Sequence, residues 1–117
     1  MKAHNLKNGK RIVVTHGELV MKPIESLPKG LKISEFKSYI ASHSESGHNH
    51  MLTPTKGKIK VAEHNGKRYA IIEELTRLWH DKSYEIHEEV ILAPGIYEMG
   101  AKTEYNPFTK VIQRVFD

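Results

Sequence analysis

Short segments rich in β-branched and apolar residues run along most of the chain and predict strands. They cover residues 11–15, 17–24, 48–53, 58–63, 67–72, 84–92, 96–105 and 110–116. Residues that favour turns, mainly Pro, Gly, Asn and Asp, separate most of them. This pattern of short strands and frequent turns is typical of a β-sandwich, roll or barrel. The sequence predicts a mainly β protein, a single small domain of about eight short strands with at most one short helix.

The strongest local signal is a hairpin centred on Asn65-Gly66. Residues 58–63 alternate, with Ile59 and Val61 on one face, and residues 67–72 return after the turn. Asn-Gly is the preferred pair for a two-residue hairpin, because both positions need a positive φ. Two antiparallel strands are therefore predicted here.

Two segments fit a helix and a strand equally well. In residues 31–42 apolar side chains recur at helical spacing and Ser34 is a suitable helix cap, yet residues 37–42 also alternate. Residues 71–79 place apolar side chains on one helical face, but they are short enough to be a strand. Both assignments stay open on the sequence alone.

The composition indicates one domain with a thin core. The chain has 117 residues, of which 38% are hydrophobic, and it contains no cysteine. Disulfides and thiolate metal sites are therefore excluded. Residues 1–10 are polar and without pattern, which predicts a flexible N-terminal arm before a single β domain over residues 11–117. So thin a core is expected to gain stability from a metal ion or from a partner subunit, as in a homo-oligomer or a larger protein assembly.

Charge and hydropathy bear on the location of the protein and on its classes of partner. The formal net charge is +4, but the lysines and arginines are scattered and form no long block, so nucleic-acid binding is not favoured. The sequence has no apolar run near the roughly 20 residues of a membrane helix. Its first residues have no signal-peptide core. A cytoplasmic location, in a cell or an infected host, or a place in a virion is expected, with no membrane partner.

Histidine is the residue type that points to chemistry, with eight in the chain. His48 and His50 are two apart, so a strand would place both rings on one face. His80 and His87 flank a predicted turn, so neighbouring strands could present both. Imidazoles in such a group suit zinc, iron, nickel or copper, and a metal site of His48, His50, His80 and His87 is predicted. Hydrogen-bonded surface histidines are the alternative; the other four are interpreted as surface or loop residues: His4, His16, His43 and His64.

No catalytic residue is predicted. The chain has no Gly-x-Ser-x-Gly elbow and no phosphate-binding glycine loop, and its carboxylates follow no pattern. Whether the protein is an enzyme stays open at this point.

Three segments resemble a family of small uncharacterised proteins of bacteria and their phages. They are the strand 17–24 with the Leu-Pro-x-Gly turn at 27–30, the Gly-His-x-His segment at 47–50, and the region from His80 through the Pro-Gly turn to Glu104-Tyr105. The resemblance covers roughly residues 16–117. It departs at His80 and His87, which are seven residues apart here and three apart in that family. The resemblance implies a fold and a histidine site, and no activity.

The His-x-His segment also resembles, more weakly, that of the cupins, although the glutamate expected after it is replaced by Thr53 and Pro54. Three functions follow as hypotheses. The first is a non-enzymatic binding or structural module with a histidine metal site, such as a phage accessory or virion component. The alternatives are a cupin-like small metalloenzyme, which keeps an open metal position, and a basic nucleic-acid-binding module.

Overall fold

Antiparallel β-strands form the regular structure in the part of the chain that is described. The computed structural model describes residues 1–43, 49–81 and 89–102. Within these ranges there are twelve strands and no α-helix. The strands are β1 Leu6–Lys7, β2 Lys10–Arg11, β3 Val14–His16, β4 Leu19–Ile24, β5 Lys32–Phe36, β6 Tyr39–His43, β7 Asn49–Pro54, β8 Ile59–His64, β9 Lys67–Ile72, β10 Thr76–His80, β11 Val90–Leu92 and β12 Gly95–Ala101.

The strands form one six-stranded, one four-stranded and one two-stranded sheet. The order is β3-β4-β12-β9-β8-β5 in the first, β11-β10-β7-β6 in the second, and β1-β2 in the third. The two larger sheets are both open, with β3 and β5 at the ends of one and β11 and β6 at the ends of the other. The prediction of a mainly β fold is confirmed. The barrel alternative is wrong for the described residues, which do not form a single closed barrel.

The structure resolves both ambiguous segments as strands. Residues 31–42 contain β5 and most of β6, and residues 71–79 contain the end of β9 and most of β10. The strand count also exceeds the predicted eight. Several strands have only two or three residues, too few for an alternating pattern to be recognised in the sequence. In the two ambiguous segments, tertiary packing decided the choice between helix and strand, which local propensity had left open.

The Asn65-Gly66 hairpin forms as predicted. Asn65 and Gly66 have φ angles of 51° and 78°, which is the combination that a tight hairpin turn requires. The two strands pair from His64–Lys67 through Lys60–Ile71. This register places Val61 opposite Ala70, and both face the core.

The inner faces of the two larger sheets share one hydrophobic core. Leu52 and Leu78 are register partners in the four-stranded sheet, and Met21 and Met99 are partners in the six-stranded sheet. All four side chains are buried and belong to one cluster, which also contains the fully buried Tyr97. Because the core lies between the sheets, a polar side chain on either inner face meets the other sheet.

Residues 1–10 are folded against the rest of the domain in the structure. They contain β1 and most of the β1–β2 hairpin, whose turn at Asn8-Gly9 has φ angles of 53° and 76°. Asn5 is fully buried. How much this segment moves in solution, and hence the division into an arm and a domain, stays a prediction.

Some predicted elements lie outside the described residues. These are the strand 110–116, the end of the strand 96–105 and the first part of the strand 84–92. Over the described residues, no helix is long and apolar enough to cross a membrane.

Candidate functional site

Two histidines lie side by side on the inner face of the four-stranded sheet. The β10–β7 register places His80 directly opposite His50, two positions beyond the core pair Leu78–Leu52. Because side chains alternate along a strand, each histidine faces the same side as the core leucine on its strand. His50 is only 6% exposed. The inner face of this sheet thus changes from apolar to imidazole at one end.

A third histidine reaches this place from the six-stranded sheet. His16 ends β3, follows Val14 on the core face, and is 2% exposed. The chain then turns back through Gly17, whose φ is +60°. A side-chain carbon on Gly17 would lie 2.9 Å from Cε1 and Nε2 of His50. Glycine is thus required both by the turn and by the close approach of the His50 ring.

The three imidazoles form a compact cluster between the sheets, here called the histidine cluster. Nδ1 of His16 lies 2.7 Å from Nδ1 of His50, a hydrogen bond in which one ring donates and the other accepts. The His50 and His80 ring centroids are 4.7 Å apart, and those of His16 and His80 are 6.4 Å apart. His50 is therefore the central member, in contact with both others.

Folding keeps His50 neutral. Its pKa is lowered from 6.5 to about 4, mainly by burial and then by the neighbouring His16 and His80, while the carboxylate of Asp81 opposes them. A neutral imidazole has one free lone pair, which is the form that binds a metal ion or accepts a hydrogen bond. The central member of the cluster thus needs no deprotonation at neutral pH before it acts as a ligand.

The strand ends beside the cluster are held by Asp81 and Asn49. The backbone N–H of Asn49 donates to Oδ1 of Asp81 at 2.5 Å, and the N–H of Asp81 donates to the Asn49 carbonyl at 3.0 Å. These bonds join the end of β10 to the start of β7. They therefore continue the β10–β7 pairing one position beyond the pair His80–His50.

The structure brings together two of the four predicted ligands. His50 and His80 are neighbours, whereas His48 and His87 lie outside the described residues. His16 was interpreted as a surface residue, and that interpretation is wrong because it is buried against His50. One signal could have found it: His16 is two residues after Val14, on the same face of an apolar strand.

The donor atoms of the cluster are not arranged around a common point. Within residues 1–43, 49–81 and 89–102, no group of three or more His, Asp or Glu side chains is placed to hold a metal ion. The 2.7 Å between the two Nδ1 atoms is a hydrogen-bond distance. Two nitrogens on one tetrahedral zinc are about 3.3 Å apart, given zinc–nitrogen bonds of about 2.0–2.1 Å.

A protein-family model matches residues 15–102, and its description is "Domain of unknown function (DUF8820)". The chain belongs to this family. The DUF8820 match contains all of β4–β12, His16, His50 and His80. It confirms the expectation of a small uncharacterised family, while a phage origin and a virion role stay predictions. No curated protein matches the chain, and no solved structure does.

Proposed function

We propose that this domain is a non-enzymatic binding module in which the histidine cluster holds a divalent transition metal, with zinc, iron or nickel as the candidates. The meeting of three imidazoles from two sheets carries this proposal. His16 comes from one sheet, and His50 and His80 come from the other. His16 and His50 are in contact through their Nδ1 atoms. Imidazole nitrogens are suitable ligands for all three of these ions.

Metal entry would replace the hydrogen bond between His16 and His50. The two Nδ1 atoms would move from 2.7 Å to about 3.3 Å apart, and the ring that donates the hydrogen bond would carry its proton on Nε2 instead of Nδ1. The ion would then join the six-stranded sheet to the four-stranded sheet. His48 and His87, which lie outside the described residues, are the candidates for a fourth ligand.

A metal in this position would add its binding free energy to folding, because the unfolded chain has no assembled site. This role suits a domain of 117 residues with a low apolar fraction. In this role the histidine cluster stabilises the fold and catalyses no reaction.

The first experiment measures metal binding by protein stripped with a chelator. Zn²⁺ titrated by calorimetry, and Co²⁺ titrated by visible absorption, should both saturate at one ion per chain. We expect His50→Gln to weaken binding at least about 100-fold, since even residues that merely support a ligand commonly contribute 10–100-fold. Adding zinc should also raise the melting temperature of the wild-type protein.

His64→Gln is the matched control, because His64 is an exposed histidine at the β8–β9 hairpin, and it should bind as the wild type does. His48→Gln and His87→Gln would identify the remaining ligand. Equal affinities in the His50 and His64 variants, or the absence of stoichiometric binding, would rule out a metal in the histidine cluster.

A further inference from the structure

A notch of about 390 Å³ opens where β9 begins, beside the end of β12. The β12–β9 ladder stops at the pair Met99–Arg68, whereas the β12–β4 ladder continues to the pair Ala101–Leu19. The β8–β9 turn closes one side of the resulting space, and Ser42 of the four-stranded sheet lines another. The notch therefore lies at the mouth of the space between the two larger sheets.

Cationic side chains outnumber carboxylates in the lining of this notch. Lys22, Lys67 and Arg68 line it, and among the described residues Glu98 is its one acidic residue. Lys67 Nζ lies 3.6 Å from Glu98 Oε1, so the opposite charges of these two side chains largely cancel. The charges of Lys22 and Arg68 leave a net positive potential, which a concave site concentrates more than a flat surface does.

Arg68 is held in a fixed orientation. Its Nη1 donates to the hydroxyl of Tyr39 at 3.0 Å, and its Nη2 donates to the carbonyl of Ala41 at 2.6 Å. Both acceptors are on β6, so the guanidinium spans the two sheets. A guanidinium has five N–H donors, and these two bonds use two of them. A planar donor group fixed in this way is suited to an anion with several oxygens.

We propose that the notch lined by Lys22, Lys67 and Arg68, here called the cationic notch, binds a small oxyanion of the carboxylate or phosphate class. The volume of about 390 Å³ is in the range of small-molecule sites. Ser42, which lines the notch, is the register partner of His50. A bound anion therefore lies next to the strand that carries the centre of the histidine cluster, although its binding does not depend on a metal.

The test titrates metal-free protein with inorganic phosphate, sulfate and acetate at constant ionic strength, followed by amide chemical shifts. We expect saturable shifts at residues 66–68 and 98–101. Lys22→Gln and Lys67→Gln should each weaken binding about 5-fold or more, as the loss of a charge-assisted contact does. Glu98→Gln should tighten it, because the carboxylate repels the anion. The order of affinity among the three probes separates a phosphate site from a carboxylate site.

Lys60 and Glu73 provide a matched control pair, since their side chains form an ion pair of 3.4 Å and neither lines the notch. Lys60→Gln and Glu73→Gln should leave the affinity unchanged. Binding that does not saturate, or that falls as much in the Lys60 variant as in the Lys67 variant, would overturn the proposal. The His50→Gln variant should still bind the anion. Anion binding is therefore tested independently of metal binding, and either proposal can fail without the other.

Discussion

His50 is a titratable side chain that the fold keeps uncharged. Its ring is buried, it contacts two other imidazoles, and its pKa is lowered to about 4. In the unfolded chain the same ring takes up a proton near its ordinary pKa of 6.5. Between these two values the unfolded state binds more protons than the folded state, so acid favours unfolding.

This difference predicts a pH-dependent stability. The contribution of His50 is fully present above about pH 6.5, declines as the pH falls, and is lost once the pH passes below about 4. Between pH 7 and pH 5 the free energy of unfolding should fall by about 1–2 kcal/mol through this group alone. Urea unfolding of chelator-treated protein at several pH values measures the effect.

His50→Gln is the informative comparison, because glutamine keeps a polar side chain and does not titrate. Its stability should depend less on pH between 7 and 5 than that of the wild type. His64→Gln should retain the wild-type slope. Parallel slopes for the wild type and the His50 variant would contradict a neutral, buried imidazole.

At the scale of elements, the β3–β4 turn positions the cluster. Gly17 lets the chain reverse immediately after His16, and the absence of a side chain leaves room for the His50 ring. The turn thus joins β3 to β4 within the six-stranded sheet and also leaves room for a side chain of β7 in the four-stranded sheet. A larger residue at this position would affect both the backbone and the packing of the imidazole.

Gly17→Ala should cost more than a comparable glycine substitution elsewhere. Gly57 has a similar φ, +66° against +60°, but a side-chain carbon there would meet nothing within 4 Å. Gly57→Ala should therefore cost only the backbone strain, about 1–2 kcal/mol. Gly17→Ala adds a clash with His50, so we expect a larger loss and a weaker affinity for Zn²⁺. Chemical unfolding measures both variants; equal losses would show that the close approach to His50 has no energetic weight.

At the scale of the whole molecule, the N-terminal segment connects to both larger sheets. The side-chain amide of Asn5 donates to the Tyr97 hydroxyl at 2.9 Å, and its oxygen accepts from the Ala93 N–H at 2.8 Å. The backbone N–H of His4 donates to the carbonyl of Ile91 on β11 at 2.7 Å. Tyr97 belongs to the six-stranded sheet and Ile91 to the four-stranded sheet. Removing the segment would therefore leave buried polar groups without partners.

We expect deletion of residues 1–10 to destabilise the protein strongly. Asn5→Ala alone should cost about 1–3 kcal/mol, which is the usual penalty for leaving a buried donor or acceptor unsatisfied. Deletion of residues 1–3 is the control, since Met1 is exposed and Asn5 remains. Thermal unfolding compares these three variants with the unaltered protein. If both deletions melt like the full-length chain, the segment is the detachable arm that its composition predicts.

Local patterns were sufficient where a short stretch of chain determines its own structure. The Asn65-Gly66 turn and the strands on either side follow from the need for positive φ and from alternation. The structure of residues 31–42 could not be predicted from local pattern, because their apolar spacing fits both a helix and a strand. The choice between the two depends on the pairing of Lys32–Phe36 with β8. Of the three histidines that meet, His50 and His80 are among the predicted ligands, whose metal-binding role stays a prediction, and His16 was wrongly placed on the surface.

By itself, the sequence determined a mainly β chain without cysteine, its clearest hairpin, and histidine as the residue type of interest. Only the tertiary structure decided which histidines meet. His16 and His50 are 34 residues apart, and they touch because strands of two different sheets cover one core. The pattern along a strand shows which side chains share its face, but not which strand of another sheet packs opposite them. The low pKa of His50 has the same origin, because burial and neighbouring charges arise only when the sheets pack together.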